Sequence, residues 1–161
     1  RGPDPTADKL TELINKTKEI GFAFDLDSDR VVLVMDGERK SSDITLGLGV
    51  VKAIKLGIKK FVLSLDSSLA IEKYILSNGG KVWRSKVGEA NVIETMIKNE
   101  AEAGGEGSSG GFILKKFNMC RDGLLTSGFI ASMLDDESIK KDIQFFESFS
   151  QMRDKISIES N

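Results

Sequence analysis

Apolar and polar positions along this chain follow two rhythms. Over residues 7–19, Leu10, Leu13 and Ile14 recur at helical spacing, with Thr6 placed to cap the helix after a turn-rich lead-in. Gly21-Phe22-Ala23-Phe24 and Val31-Val32-Leu33-Val34 are short apolar runs of strand type. Asp36-Gly37 predicts a hairpin turn, with a short return through residues 38–40. Asp43 is the expected N-cap of a helix over residues 44–56, which directs Ile44, Leu48, Val51 and Ile54 inward and stops at Gly57. Beyond it the pattern predicts a strand over 61–65, then a helix opened by Asp66-Ser67-Ser68 and ended by Asn78-Gly79-Gly80. A strand over 81–85 and a helix over 90–101 follow. The last elements expected are a strand over 112–117, a turn at Arg121-Asp122-Gly123, helices over 124–134 and 138–149, and an extended stretch over 151–159. Strands and helices alternate after residue 43. This predicts βαβ units and an α/β fold: a mixed, mainly parallel sheet sandwiched by helices.

One stretch departs from both rhythms. Asp25-Leu26-Asp27-Ser28-Asp29-Arg30 places three aspartates at alternate positions between two apolar runs, and an arginine closes the set. Carboxylates this close repel one another and resist ionisation unless a cation neutralises them. A hard, oxygen-preferring ion suits them, Mg²⁺ first. Arg30 suits a phosphate, because its planar fork pairs with two oxygens at once. An EF-hand also opens D-x-D-x-D, but it needs Gly next and a Glu at its twelfth position. This chain has Arg30 and Asp36 there. A phosphatase of the haloacid-dehalogenase type also begins with a strand and D-x-D, with Asp25 as nucleophile, Asp27 as acid and Asp135-Asp136 as a later acidic pair. The plainest alternative is a solvated acidic turn.

Composition narrows the chemistry. The chain has 161 residues, no histidine, one cysteine and a net charge of −2. Ser-His-Asp and Cys-His nucleophiles and histidine-ligated metals are therefore excluded within it. A single cysteine, Cys120, allows no internal disulfide or thiolate zinc site and fits a reducing cytoplasm. The charge gives no footing for nucleic acid or a membrane surface, and no apolar run has membrane-spanning length. Gly104-Gly105-Glu106-Gly107-Ser108-Ser109-Gly110-Gly111 is the one low-complexity segment. It reads equally as a flexible linker or as a loop that lets a ligand approach the backbone. Trp83, Tyr74, Cys120 and the Phe145-Phe146-Phe149 cluster read as packing residues, and Thr126-Ser127-Gly128 as hydroxyls used within a helix.

Four motifs in this order resemble those of the α-D-phosphohexomutases, the phosphoglucomutase/phosphomannomutase family. They are Asp25-Leu26-Asp27-Ser28-Asp29-Arg30, Lys86-Val87-Gly88-Glu89, Gly104-Gly105-Glu106-Gly107-Ser108 and Arg121-Asp122-Gly123. Pro3-Asp4-Pro5-Thr6 also resembles the family's lead-in to a helix. The resemblance covers nearly the whole chain. It implies the end of the family's second domain over residues 1–39, with the metal loop, and the third domain over 40–161, with the sugar loop. It also implies a reaction: phosphate moves reversibly between O1 and O6 of a hexose, glucose or mannose phosphate, through a phosphoserine and a bisphosphorylated sugar.

By the same resemblance Asp25, Asp27 and Asp29 are the Mg²⁺ ligands and Arg30 lies beside the phosphate. Lys86 lies near the substrate, and Glu89 stands where many members carry a histidine or other polar residue for proton transfer. Glu106, with Ser108 or Ser109, reads sugar hydroxyls. The sugar loop is one residue longer than the family pattern, so either serine fits. The family's nucleophilic serine segment and its R-x-S-G-T phosphate loop are absent from these 161 residues. The expectation is a fragment that works with the family's first and fourth domains and does not turn over alone. A non-catalytic module, with the aspartates as a structural metal site, is the alternative from another class.

Overall fold

A computed structural model describes residues 8–17 and 19–150. The lead-in with its Thr6 cap and the stretch 151–159 lie outside the described residues. Helix α1 (Asp8–Thr17) precedes a hairpin of β1 (Ile20–Phe24) and β2 (Val31–Met35), and β3 (Glu38–Arg39) returns along β2. The two long strands are antiparallel, with Phe24 opposite Val31 and Ile20 opposite Met35. The three aspartates thus occupy the tip of a hairpin. Every residue of β2 is buried, because both of its faces are covered. Val32 and Val34 pack with Ile14 of α1, while Leu33 and Met35 enter the main core.

The second sheet follows from alternating strands and helices. After α2 (Ser42–Lys55) come β4 (Lys60–Ser64), α3 (Leu69–Ser77), β5 (Lys81–Ser85), α4 (Glu89–Lys98) and β6 (Ala103–Gly105). Then come β7 (Phe112–Leu114), β8 (Asn118–Asp122), α5 (Gly123–Ala131) and α6 (Ser138–Glu147). The spatial order is β5-β4-β6-β7-β8. β4 runs parallel to β5 and β6, β7 reverses, and β8 reverses again. Four of the five strands therefore point the same way, as a mixed, mainly parallel sheet requires. Alternate residues serve opposite faces. Phe61, Leu63 and Phe112 join α2, α3, α5 and α6 in the main core, and Val62 and Ile113 join Val92 and Met96 of α4.

The glycine-rich segment is not a flexible linker. Its first residues form β6, the middle strand of the sheet, and Ala103 through Gly107 are buried. A Cβ on Gly104 would stand 2.8 Å from the Met96 sulfur, and one on Gly105 would overlap Leu46. Glycine here lets α2 and α4 close on the strand from both sides.

Three local expectations change. Ser41, not Asp43, caps α2, its hydroxyl accepting from the Ile44 N–H at 3.3 Å. Asp43 is instead buried in the first turn and accepts from the Ser68 N–H at 2.8 Å. The strand expected over 112–117 ends at Leu114, because the exposed Lys115 and Lys116 turn the chain into β8. Arg121 and Asp122 therefore end a strand, and Asp122 caps α5 through the Leu125 N–H at 2.7 Å. Of the residues expected to pack, Cys120 is only half-buried on β8, while the aromatic cluster and Thr126 pack as expected. Tyr74 lies against Phe145 and Phe146, and Thr126, fully buried, accepts from the Phe112 N–H and donates to the Asp122 carbonyl.

Candidate functional site

The parallel strands β4, β5 and β6 end at one edge of the sheet, and β8, pointing the same way, brings Arg121 to that edge. Loops at the carboxyl ends of parallel strands are where α/β sheets present ligand-binding groups. Four of the sequence motifs converge there.

The tip of the β1–β2 hairpin is folded back by Ser28, whose φ of 61° is left-handed. The fold brings one carboxylate oxygen each of Asp25, Asp27 and Asp29 within 4.8 Å of one another, the only such group of three among the described residues. Asp25 is buried, Asp29 half-buried and Asp27 exposed. Arg30 closes the loop: its N–H donates to Asp25 at 3.3 Å, and its Nε lies 3.6 Å from Asp25 and 3.7 Å from Asp29. Burial raises the Asp29 pKa above the ordinary carboxylate value, against the pull of Arg121, and the neighbouring Asp25 and Asp27 raise it further. A loop of oxygen donors with crowded negative charge fits a small hard dication such as Mg²⁺, and it offers no soft ligand.

Arg121 ties this loop to two others. Its Nε and its backbone N–H both donate to Glu89 Oε2 at 2.9 Å. Its Nη1 donates to Glu106 Oε2 at 2.8 Å, and its Nη2 pairs with Asp29 Oδ2. Burial works against the guanidinium charge, but Asp29, Glu89 and Glu106 outweigh it and raise the Arg121 pKa. The other oxygen of Glu106 accepts from the Gly88 N–H at 3.0 Å. Gly88 has a φ of 111°, which a side chain would strain, so the V-G pair has a backbone reason.

The two candidate serines separate. Ser109 is buried, donates to the Glu106 carbonyl at 3.2 Å and accepts from the Gly111 N–H at 3.4 Å. Ser108 is exposed at the loop tip. Lys86 is exposed in the loop after β5 and has no ion pair among the described residues. Arg30 and the aspartate triad are gathered with Glu89 and Glu106 through Arg121, while Lys86 stands outside that cluster. Sequence reasoning missed Arg121 as a functional residue. Arg121-Asp122-Gly123 was legible as a turn and as one of the four motifs, without a role for its arginine, and a strand-end arginine ahead of a capping aspartate was the available signal.

The aspartate-nucleophile alternative could use Asp135-Asp136 as a late acidic pair beside Asp25. Asp136 instead lies 2.5 Å from Lys55 at the far end of α2 and accepts from the Ser138 N–H at 2.8 Å. Asp25 also leaves an antiparallel hairpin rather than a strand of the main sheet.

Residues 42–150 match the sequence profile of the phosphoglucomutase/phosphomannomutase α/β/α domain III. The chain belongs to the phosphoglucomutase/phosphomannomutase family. It is 35% identical over 148 residues to a phosphoglucosamine mutase of Dictyoglomus thermophilum, covering 86% of this chain and 31% of that protein. A phosphoglucosamine mutase of Methanococcus maripaludis is 31% identical over 173 aligned positions, covering all of this chain and 38% of that protein. The chain thus spans about a third of the length of the curated relatives it matches. Parafusin, a phosphoglucomutase of Paramecium, superposes with a TM-score of 0.73 at 20% identity, over 92% of this chain and 30% of that one. A phosphoglucomutase/phosphomannomutase family protein of Burkholderia thailandensis gives 0.71 at 22% identity, over 88% of this chain and 32% of that one. These likenesses establish the phosphohexomutase fold for this domain. No helix among the described residues is long and apolar enough to cross a membrane.

Proposed function

We propose that this chain is the metal-holding and sugar-reading part of a phosphohexomutase that moves phosphate between O1 and O6 of a hexose. The observation that supports the reading best is the meeting of the Asp25-Asp27-Asp29 loop, the Gly88-Glu89 turn and the Glu106 loop around Arg121. Sequence relatives named phosphoglucosamine mutase make an amino-hexose phosphate the first substrate to test, ahead of glucose or mannose phosphate.

Asp25, Asp27 and Asp29 would hold Mg²⁺, which when bound withdraws charge from the phosphoryl group in flight. Phosphoryl transfer asks the protein mainly for positioning and charge neutralisation. Arg30 stands beside the triad to take a peripheral phosphate oxygen. Each Glu106 oxygen already accepts one hydrogen bond, which fixes the carboxylate and leaves lone pairs for sugar hydroxyls. Ser108, exposed at the loop tip, can add a hydroxyl contact, and Ser109 holds the loop's shape. Lys86 supplies an exposed positive charge for an anionic substrate. Glu89, engaged by Arg121 through two bonds, serves better as an anchor than as a proton carrier. The serine that carries the phosphate, and a further phosphate-gripping loop, would come from the rest of a longer enzyme, the first and fourth domains of the family pattern.

Calorimetric titration of the chain with glucosamine 1-phosphate, glucose 1-phosphate and mannose 1-phosphate in Mg²⁺ tests the reading. Binding that Glu106→Gln weakens supports it, and absence of binding to all three overturns it. Interconversion of hexose 1- and 6-phosphates by the isolated chain at enzyme-like rates would overturn the proposed division of labour.

A further inference from the structure

Among the described residues Arg121 is the one whose side chain binds all three loops of the site, and it is only 13% exposed. Its partners have separate duties. Asp29 belongs to the carboxylate triad, Glu106 to the sugar loop, and Glu89 opens α4. Charge-assisted bonds of an arginine fork are stronger than neutral ones and fix direction as well as distance. Arg121 already holds the half-buried Asp29 carboxylate, so a cation drawn to the triad must share that carboxylate with the guanidinium, and the two positive charges repel each other. Occupancy of the triad must therefore change what Arg121 does.

The geometry points to Arg121 as a positioning residue that couples the carboxylate triad to the Glu106 loop. This rests on the reading of the site given above. A divalent cation on Asp25, Asp27 and Asp29 would compete with Arg121 for the Asp29 carboxylate. The Nη2 donors it frees turn to an anionic sugar, while Nε and Nη1 keep Glu89 and Glu106 in place. Glu106 does not swing away, because the Gly88 N–H holds its other oxygen at 3.0 Å. Linkage makes the effect reciprocal: whatever factor the cation adds to sugar-phosphate affinity, the sugar phosphate adds to cation affinity.

The test is calorimetric titration of the folded chain with Mg²⁺ and with glucosamine 1-phosphate, each alone and in the presence of the other. In the unaltered chain each ligand is expected to tighten the other by about fivefold or more. Arg121→Gln should bind Mg²⁺ more tightly, since the Arg121 guanidinium no longer competes for Asp29 and only Arg30 remains beside it, and bind the sugar phosphate more weakly. Its mutual tightening should shrink to the direct attraction between ion and phosphate, which both proteins share. Arg121→Lys keeps the charge without the three-way fork. It should also lose coupling, and it serves if the glutamine variant does not fold. A residue that only held the fold together would, when replaced, weaken both ligands at once. Unchanged mutual tightening in either folded variant, or two ligands that bind the unaltered chain independently, would overturn the proposal. Failure of the unaltered chain to bind sugar phosphate at all would overturn the functional reading itself, a pattern distinct from uncoupled binding.

Discussion

The Gly123 N–H donates to the Ser28 carbonyl at 2.9 Å, and a Cβ on Gly123 would stand 2.7 Å from that same oxygen. It would also lie 3.0 Å from the Arg30 carbonyl. The Arg121-Asp122-Gly123 turn is therefore pressed against the backbone of the aspartate loop, and the glycine is what permits the approach. Both neighbours are main chain and cannot swing aside. Gly123→Ala is expected to destabilise the fold by about 1–3 kcal/mol, the usual cost of overpacking, and to weaken Mg²⁺ binding by shifting the loop. Gly128→Ala is the control in the same helix. Nothing lies within 4 Å of a Cβ there, so alanine should stabilise by about 0.5–1 kcal/mol. Urea unfolding of both variants decides it, and equal effects of the same sign would show that the close approach does not matter.

Asp27 is the exposed member of the triad. Asp27→Asn removes one of three crowded carboxylates without opening the core. Stability should stay within about 0.5 kcal/mol, as for most surface changes. Mg²⁺ affinity should fall by about tenfold or more, since affinity for a hard cation follows the ligand charge count. Sugar-phosphate binding measured in Mg²⁺ should weaken with it. A purely structural metal site makes the opposite forecast, with stability altered and sugar-phosphate binding untouched.

Much of this was legible in the sequence because the signals were local. The Val31–Met35 strand is an unbroken apolar run, buried throughout, and Lys81–Ser85 is a short run around Val82 and Trp83 set off by the Asn78-Gly79-Gly80 turn. The aspartate loop carries its chemistry within six consecutive residues, 25–30. What stayed hidden depended on distant partners. The role of Arg121 is defined by Asp29, Glu89 and Glu106, which lie far from it in sequence and meet it only when β8 returns to the sheet edge. The glycines of β6 resembled a linker because the reason for them sits in Leu46 and Met96, on two separate helices. Asp43 met the rule for a cap, yet Ser41 filled that place and left Asp43 to hold the Ser68 turn.

Ser108 and Ser109 stand side by side in sequence and should answer differently to the same change. Ser109→Ala removes the hydroxyl that bridges the Glu106 carbonyl and the Gly111 N–H inside the loop. Leaving a buried N–H unpaired costs about 1–3 kcal/mol, so the variant should melt earlier. Ser108→Ala touches an exposed residue and should leave stability within about 0.5 kcal/mol. Its expected effect is on sugar-phosphate affinity in the calorimeter. A Ser108→Ala chain that binds as tightly as the unaltered one would remove Ser108 from the sugar contacts.

Tyr74 gives a pH dependence that one chromophore can follow. Burial raises its pKa well above the ordinary phenol value, and Asp142, whose carboxylate accepts the hydroxyl at 3.0 Å, raises it further. An unfolded chain releases this proton near pH about 10, whereas the folded chain retains it. Above that pH the native state binds more protons than the unfolded state, so stability falls as pH rises. Below it the contribution is fully present. The chain has a single tyrosine, so phenolate absorbance reports Tyr74 alone. In the folded protein the phenolate should appear only together with unfolding, read by Trp83 fluorescence. Tyr74→Phe should lose the alkaline slope that this residue contributes. It should also cost about 0.5–1.5 kcal/mol at neutral pH through the lost hydrogen bond. A phenolate that forms near the ordinary phenol pKa while the protein remains folded would show that Asp142 and the Phe145-Phe146 packing do not hold the proton in place.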